Sequence, residues 1–234
     1  MNKPWIMTQT WRDLVFLHWP VSVQSLKPFI PQELQIDLFE GQAWIGVVPF
    51  LADWTRPRFL FPVPFTWKYY ELNVRTYVRY KGRPGVFFFS LDANSLLAVK
   101  TASAGGFLPY RHARMKLIKH QDRRLFISQC EHGDCSEIFR LGFTPTAGIL
   151  KATEHELWLT ERYCLWTKPK DILWRVDIEH TPWQLQNVHV EIMENSLARF
   201  LTEDFSVQPL KHFSAHKRVR FYPPIAETNK ADRF

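Results

Sequence analysis

Polar and apolar side chains alternate along the segment that begins at Lys68. In the string YELNVRTYV, one set of alternate positions is polar or aromatic and the other set is apolar or small. The first set is Glu71, Asn73, Arg75 and Tyr77, and the second is Leu72, Val74, Thr76 and Val78. Successive side chains of a strand point to opposite faces, so the pattern predicts a strand with one polar face that can carry ligand contacts.

Turn-forming residues follow this strand and predict a hairpin. The sequence GRPG at 82–85 precedes the β-rich run VFFFSLD. Asp92 is a suitable N-cap for a helix that begins at Ala93 and ends at Gly105–Gly106. A further strand is then expected from about Phe107, carrying LPYRHARM.

The N-terminal part predicts a strand, a short helix and a second strand. A loose lead-in should give way to the first strand at Trp11, and SVQSLKPFIPQEL is expected to contain the helix. Because Pro28 is tolerated only in the first helical turn, Gln24 or Ser25 is a better cap than Ser22. The next run, AWIGVVPFLADW, is apolar on both faces, which is typical of a central strand that is covered on both sides.

The proline-rich segment 55–67 has two interpretations. Proline cannot donate to a sheet ladder, so the segment is expected at an edge or outside the sheet. It could form a mobile lid over a cavity mouth, or an ordered crossover that packs its phenylalanines on the β-structure.

Most of the remaining chain also has strand-like patterns. ARMKLIKH and RRLFISQCEH should pair across a turn at His120–Asp122, with SEIFRLGF continuing the meander. Further strands are predicted in HELWLTERYCLWT, DILWRVDIEH, WQLQNVHVEIM and near HKRVRFY, with a short helix at about 195–201. The prediction is a mainly β (β-rich α+β) fold with about ten strands and two or three short helices, in which largely antiparallel sheets curl or close.

Composition favours one folding unit over residues 1–234. The chain is 46% hydrophobic, and its net charge of +7 is scattered without a nucleic-acid-binding motif. Three cysteines without CxxC spacing and the lack of a signal-peptide pattern favour a reduced, cytoplasmic location. Charged residues or proline interrupt every apolar run, so no membrane span is expected.

Ordered motifs identify a resemblance to a known family. The strings LHWPVSVQSLKPFIPQEL, FEGQAWIGVVPF, ELNVRTYV, GVFFFSLDA, LPYRHARM, LTERYCLW and HTPWQL resemble the YqjF-like family of bacterial proteins, a domain of unknown function. The likeness extends from about Trp11 to Pro223 and implies a single domain with its core at about 11–223. In motif order the family is more distantly similar to acetoacetate decarboxylases, β-rich enzymes whose reactive lysine forms a Schiff base with a β-keto acid. This second likeness implies an acetoacetate decarboxylase-like β-barrel.

The decarboxylase likeness fails at the reactive residue. Tyr69 and Glu71 match the tyrosine–x–glutamate strand of those enzymes, but Tyr110 stands where the reactive lysine would be, followed by Arg111. A Schiff base requires a neutral primary amine, which neither a phenol nor a guanidinium supplies. The sequence therefore excludes Schiff-base decarboxylation at this position and leaves a cavity as the expected feature.

Five residues are candidate ligand contacts, namely Glu71, Asn73, Arg75, Tyr110 and Arg162. Glu71 and Arg75 would lie on one strand face about 13 Å apart. If that face points into a cavity, they can contact different ends of a ligand. If it points to the outside of the sheet, they would pair with charged residues on neighbouring strands. Arg75 suits a carboxylate, and Tyr110 is a hydrogen-bond donor, a weak general acid or a core tyrosine. Arg162 and Tyr163 should point to opposite faces of their strand, so at most one can enter a given cavity.

Three functions remain open from the sequence. The first is binding of a small anionic or carbonyl-bearing molecule, and the second is an acid–base or lyase-like enzyme with Glu71 as base, Tyr110 as acid and Arg75 as carboxylate clamp. The third is a structural or interaction protein without a ligand. No metal or cofactor is expected, because the histidines lack ligand spacing and no phosphate loop or nucleophile elbow occurs. His18 and His180 are expected to be structural, and an edge strand or segment 55–67 could mediate a homodimer.

Overall fold

A computed structural model describes residues 4–61, 68–103, 107–132 and 135–227. The strands in these ranges are β1 (Met7–Val21), β2 (Gln35–Ile36), β3 (Ala43–Pro57), β4 (Lys68–Tyr80), β5 (Arg83–Ala93), β6 (Tyr110–His120), β7 (Arg123–His132), β8 (Cys135–Pro145), β9 (Cys164–Thr167), β10 (Trp174–Glu179), β11 (Val188–Asn195), β12 (Leu210–Phe221) and β13 (Ile225–Ala226). The helices are α1 (Val23–Leu26), α2 (Leu96–Ala102) and α3 (Glu154–Thr160), with 3-10 turns at Lys27–Phe29 and Pro169–Asp171. The prediction of a mainly β fold with a few short helices is confirmed.

Strand pairing forms a ring with an attached meander. Starting at β4, the hydrogen-bonded neighbours run β3, β1, β12, β10, β9 and β5, and β5 pairs again with β4. The pairs β5–β9 and β5–β6 are parallel, so the sheet is mixed rather than wholly antiparallel. A parallel pair needs a crossover connection, and α2 lies in the connection from β5 to β6. From β6 the sheet continues as the antiparallel series β7, β8 and β11.

The two faces of β4 have different surroundings. Leu72 and Val74 belong to the main apolar cluster with Phe126, Phe139 and Leu141 of the meander. The alternate positions face the interior of the strand ring, where the cavity described below lies. The polar stripe is therefore internal because the meander covers the other face of the strand.

A two-residue turn joins β4 to β5, so the predicted hairpin forms, but Arg83, Pro84 and Gly85 of the GRPG string belong to β5 rather than to the turn. Lys81 and Gly82 both have positive φ, at 49° and 78°, and Tyr80 pairs with Arg83. Gly85 then allows β5 to approach β9, since a Cβ there would lie 2.6 Å from the carbonyl oxygen of Cys164. This close approach accommodates the parallel pair that completes the ring.

Two N-terminal boundaries differ from the predictions. Strand β1 begins at Met7, before the expected Trp11, because Met7 already pairs with both β3 and β12. The cap of α1 is Ser22, whose Oγ accepts a 3.0 Å hydrogen bond from the amide of Ser25. Pro28 does not exclude this cap, because α1 is a single turn and Pro28 lies in the 3-10 turn that follows.

The predicted helix cap at Asp92 is also wrong. Strand β5 extends through Ala93, and Ser95 caps α2 with its side chain. Asp92 is instead buried and accepts hydrogen bonds of 2.6 and 2.9 Å from Arg111 of β6. The following strand begins at Tyr110 rather than near Phe107, and the predicted stop at Gly105–Gly106 lies outside the described residues.

Two later elements were assigned the wrong type. The first part of HELWLTERYCLWT is helix α3, since Thr153 and Glu156 form a reciprocal capping box, and only Cys164–Thr167 is a strand. The expected helix near 195–201 is a series of turns, in which Ala198 has a φ of 55°.

Residues 62–67 lie outside the described part, so the lid interpretation of 55–67 stays a prediction. In the described ranges the longest helices have seven residues, and none could cross a membrane.

Candidate functional site

A cavity of about 90 Å³ lies inside the strand ring. All five ligand contacts predicted from the sequence line it, namely Glu71, Asn73, Arg75, Tyr110 and Arg162. The rest of the lining is mainly apolar and includes Trp11, Phe16, Phe50, Phe88, Leu91 and Trp183. A mostly apolar cavity with a few convergent polar groups is typical of small-molecule sites.

Glu71 and Tyr110 form a hydrogen-bonded pair in this cavity. The Oη of Tyr110 donates to Oε2 of Glu71 at 2.9 Å. The contact depends on the order β4–β5–β6, because Glu71 pairs with Ala93 and Ala93 pairs with His112, two residues beyond Tyr110. The decarboxylase-like position of Tyr110 is therefore occupied by a partner of the glutamate.

Burial changes the ionisation of both members of the pair. Glu71 is 5% exposed, and loss of hydration raises its pKa to about 8 despite the opposing hydrogen bond from Tyr110. The negative charge of nearby Asp92 raises the pKa further. Burial and the adjacent Glu71 also raise the pKa of Tyr110 well above that of a free phenol. At neutral pH the carboxyl is therefore mainly protonated and can donate a hydrogen bond to a ligand.

A second hydrogen-bonded group lies beside the pair and was missed by the sequence analysis. Gln9 of β1 donates from Nε2 to the hydroxyl of Tyr69 at 3.0 Å and to Oγ1 of Thr55 at 2.8 Å. The Nε1 of Trp11 in turn donates to Oε1 of Gln9 at 2.6 Å. Gln9 had been placed in a loose lead-in, so no pattern connected it with the cavity.

Arg75 has no anionic partner among the described residues. Its Nε and Nη2 are buried and make no hydrogen bond there, and its guanidinium carbon lies 5.8 Å from the ring centre of Phe16. The Oδ1 of Asn73, on the same face of β4, is also buried without a hydrogen-bond partner in the described part. These groups have hydrogen-bonding capacity that a bound molecule can use.

Arg162, by contrast, is held within the protein. Its Nη1 donates to Oδ2 of Asp37 at 2.6 Å, and its Nε donates to the carbonyl of Trp158 at 2.6 Å. Arg162 lies in the link between α3 and β9 rather than on a strand, but it does point inward while Tyr163 is 37% exposed. Its Nη2 is buried and unpartnered in the described structure, so this one nitrogen keeps hydrogen-bonding capacity.

His180 and Trp183, from the HTPWQL motif, also line the cavity. The Nδ1 of His180 lies 2.9 Å from the carbonyl of Thr181, and burial lowers the pKa of this histidine. His180 is therefore neutral at pH 7 with Nδ1 as the donor. Trp183 packs edge-on against Phe16, with ring centres 5.0 Å apart. The sequence analysis had assigned His180 a structural role, and its motif was the only available signal.

The other candidate chemistries find little support in the described residues. Cys164 lines the cavity, but burial raises the pKa of its thiol to about 12, so it is not a thiolate at neutral pH. The described residues contain no group of three or more His, Cys, Asp and Glu side chains arranged to hold a metal ion. The polar chemistry of the cavity therefore centres on Glu71, Tyr110 and the arginines.

Comparison with known sequences establishes the family. The sequence profile of the DUF2071 family, described as an uncharacterized conserved protein, matches residues 8–218. The chain belongs to this family. It is also 42% identical over 223 residues to the uncharacterized protein YqjF of Bacillus subtilis (strain 168), covering 94% of this chain and 91% of the relative. The YqjF-like resemblance read from the motifs is thus confirmed.

Comparison with solved structures confirms the decarboxylase-like fold. An acetoacetate decarboxylase-like enzyme from Sphingomonas wittichii RW1 has a TM-score of 0.67 at 14% identity, with 97% of this chain and 94% of that chain covered. The enduracididine biosynthesis enzyme MppR, complexed with pyruvate, has a TM-score of 0.65 at 10% identity, with coverage of 97% and 91%. Acetoacetate decarboxylase from Legionella pneumophila has a TM-score of 0.62 at 15% identity, with coverage of 99% and 91%. At these identities the likeness concerns the fold alone.

Proposed function

We propose that this DUF2071 protein binds a small organic anion that also carries a carbonyl or hydroxyl oxygen. The observation that carries the proposal is Arg75, a cavity arginine whose Nε and Nη2 have no hydrogen-bond partner among the described residues. Leaving buried polar groups unpaired is costly, and an anion would satisfy both the charge and the donors.

The ionisation of the cavity favours a ligand with a single negative charge. Arg162 is paired with Asp37, which also pairs with the half-exposed Arg79, while Glu71, with its pKa raised to about 8 by burial, is mainly neutral at pH 7. Arg75 is then the cavity cation that has no anionic partner among the described residues. The protonated Glu71 and the hydroxyl of Tyr110 supply hydrogen bonds for an uncharged oxygen at the other end of the molecule.

Acid–base catalysis on such a ligand is the second candidate function. It is favoured by the raised pKa of Glu71, because a general acid or base works best when its pKa lies near the working pH. A structure of similar fold, MppR, is complexed with pyruvate, which makes small keto acids the first compounds to test. Catalysis here would proceed without a Schiff base at Tyr110.

The binding proposal is tested by thermal shift with small keto acids, hydroxy acids and uncharged carbonyl compounds. A ligand present at a hundred times its Kd should stabilise the native state by about 2.7 kcal/mol. Arg75→Met should remove the response while keeping most of the side-chain stem. Arg114→Met is the matched control, because Arg114 is exposed on β6 and lies outside the cavity lining. The proposal is wrong if no anion in a broad panel raises the thermal unfolding temperature of the wild-type protein.

The catalytic candidate needs a separate measurement with any ligand that binds. Consumption of the compound, followed by NMR, should be abolished in Glu71→Gln while its Kd changes little. If the wild-type protein binds the compound and never converts it, binding alone is the function for that compound.

A further inference from the structure

Arg111 follows Tyr110 directly on β6, so its side chain points to the opposite face of the strand, away from the cavity. Its Nε donates to Oδ1 of Asp92 at 2.6 Å, and its Nη2 donates to Oδ2 of the same carboxylate at 2.9 Å. Nη2 also donates to Oε2 of Glu137 on β8 at 2.5 Å. Two parallel bonds from one guanidinium to one carboxylate fix the direction of the contact as well as its distance.

This ion pair lies at the contact between the strand ring and the meander. Strand β6 pairs with β5 in parallel through Leu91 with Tyr110, Asp92 with Arg111, and Ala93 with His112. From Ala113 onwards, β6 pairs with β7 of the meander. A parallel ladder is slightly less stable per residue than an antiparallel one, and this ladder is short, so side-chain contacts help to hold β6 against β5.

The position of Tyr110 depends on the register of this ladder. Glu71 pairs with Ala93 on β5, so Tyr110 reaches Glu71 across an intervening strand. A shift of β6 by one residue would turn Tyr110 to the opposite face of the sheet and break its 2.9 Å hydrogen bond with Glu71. The same shift would separate Arg111 from Asp92. The register that forms the ion pair is therefore the register that brings Tyr110 to Glu71.

Burial makes this register costly to change. The side chain of Asp92 is 1% exposed, and those of Arg111 and Glu137 are 20% and 19% exposed. Charge-assisted hydrogen bonds to such a buried carboxylate are costly to lose, whereas a solvent-exposed ion pair contributes little. Asp92 is also coupled to the cavity by its charge, because burial and, to a smaller extent, the negative charge of Asp92 raise the pKa of Glu71 to about 8.

We propose that Arg111 is a positioning residue of the cavity, which holds β6 in register through Asp92 so that Tyr110 meets Glu71. Arg111 is not among the described residues that line the cavity, so it acts through Tyr110 and not on a ligand. The inference deepens the proposed function and rests on it only for the role of the Glu71–Tyr110 pair in binding. The covered outer face of the strand ring thus contributes to the geometry of its interior.

Arg111→Lys tests the proposal because it keeps the positive charge and removes the two-point contact. An ammonium is a compact point charge without the planar fork that matches both carboxylate oxygens. We expect the ¹³C NMR resonance of Tyr110 Cζ, assigned with Tyr110→Phe, to move in the ligand-free protein. The pKa of Glu71 should rise by at least half of the rise that Tyr110→Phe causes, because the opposing hydrogen bond is weakened.

Arg114→Lys is the matched control for this measurement. Arg114 is exposed on the same strand, and its substitution should change neither the Tyr110 resonance nor the Glu71 titration. A wild-type Tyr110 resonance together with a wild-type Glu71 titration in folded Arg111→Lys would overturn the positioning role.

The same substitution in a Tyr110→Phe background shows whether Arg111 acts through Tyr110. If it does, Arg111→Lys should change the pKa of Glu71 in that background by less than a third of its effect in the wild-type protein. An effect of full size there would mean that Arg111 acts on Glu71 by another route, and the proposal would be wrong.

Asp92→Asn decides the question if Arg111→Lys does not fold. The amide keeps the shape of the carboxylate but has only one oxygen, so the two-point contact is lost and the Tyr110 resonance should again move. The resonance is the readout for this variant, because removing the charge of Asp92 itself lowers the pKa of Glu71. An unmoved Tyr110 resonance in Asp92→Asn would reject the proposal.

These measurements require no anion, so this inference and the proposed function can fail separately. If no anion stabilises the protein while Arg111→Lys moves the Tyr110 resonance, the binding function is wrong and the positioning of Tyr110 stands. If an anion binds through Arg75 while Arg111→Lys leaves Tyr110 and Glu71 unchanged, the binding function stands and the positioning role is rejected.

Discussion

Tyr110 donates a 2.9 Å hydrogen bond to Glu71 inside a cavity that also contains Arg75. The two residues are 39 positions apart and come from strands that are not direct neighbours, since β5 lies between them. The pair combines a carboxyl whose pKa is raised to about 8 with a phenol that remains protonated. This relationship gives the cavity a proton donor whose state changes near physiological pH.

Substitution of Glu71 should change how stability depends on pH. The pKa of Glu71 in the folded protein, about 8, lies above the ordinary carboxyl value of 4.5, so the folded state favours the protonated carboxyl. The stability that this preference contributes is fully present below about pH 4.5 and is lost as pH rises through about 8. Glu71→Gln cannot ionise, and its free energy of unfolding should exceed that of the wild type at pH 9 by a few kcal/mol. Urea unfolding at pH 5, 7 and 9 measures the difference. Parallel pH profiles for the two proteins would contradict the raised pKa.

Tyr110→Phe should raise the pKa of Glu71 above about 8. The tyrosine hydroxyl stabilises the ionised carboxylate, so its removal leaves burial to act without this opposing hydrogen bond. Carboxyl-carbon NMR of protein labelled at glutamate can follow the titration directly. Tyr163→Phe serves as the control, because Tyr163 contacts Glu161 outside the cavity and should leave the Glu71 titration unchanged. An unchanged or lower Glu71 pKa in Tyr110→Phe would refute the role of the hydrogen bond.

The two cavity arginines should respond oppositely to loss of charge. The side chain of Asp37 is only 3% exposed, and after Arg162→Met its remaining cationic partner among the described residues is the half-exposed Arg79. The free energy of unfolding should therefore fall by about 3 kcal/mol. Arg75→Met removes a charge that has no anionic partner in the described structure, so ligand-free stability should be equal or higher. Chemical denaturation of both variants without added anions makes the comparison. Equal losses of stability would mean that Arg75 is held as firmly as Arg162.

Gly46→Ala should weaken anion binding more than it weakens the fold. The new methyl group would press on His18 and Arg75 at 3.2 and 3.4 Å, so both side chains must shift, at a cost of about 1 kcal/mol. Gly142→Ala is a matched control, because its Cβ would meet only the flexible ends of Arg123 and Met193, each at 3.2 Å. Titration with an anion that stabilises the wild-type protein and thermal unfolding of both variants separate the two effects. Wild-type affinity for that anion in Gly46→Ala would show that binding does not depend on the position of Arg75 over Gly46.

The strand alternation in β4 was sufficient to place Glu71, Asn73 and Arg75 on one face, and the motifs identified the family. The sequence could not predict that Gln9 lines this cavity or that His18 lies beside Arg75, because their proximity depends on pairing between strands far apart in the chain. The type of α3 was recoverable from its capping box, whereas the parallel pairing of β5 with β9 left no local signal.

Local chemistry thus determined the polar face of β4, the presence of a hairpin between β4 and β5 and the absence of a Schiff-base lysine at position 110. Tertiary structure alone decided that this face points inward, that Tyr110 meets Glu71, and that Arg75 lacks an anionic partner in the described structure while Arg162 has Asp37. The reason is physical: alternation shows which side chains share a face, but only the covering of the opposite face by the meander determines which face is internal. The pKa of Glu71 follows from that burial and from no property of its sequence neighbours.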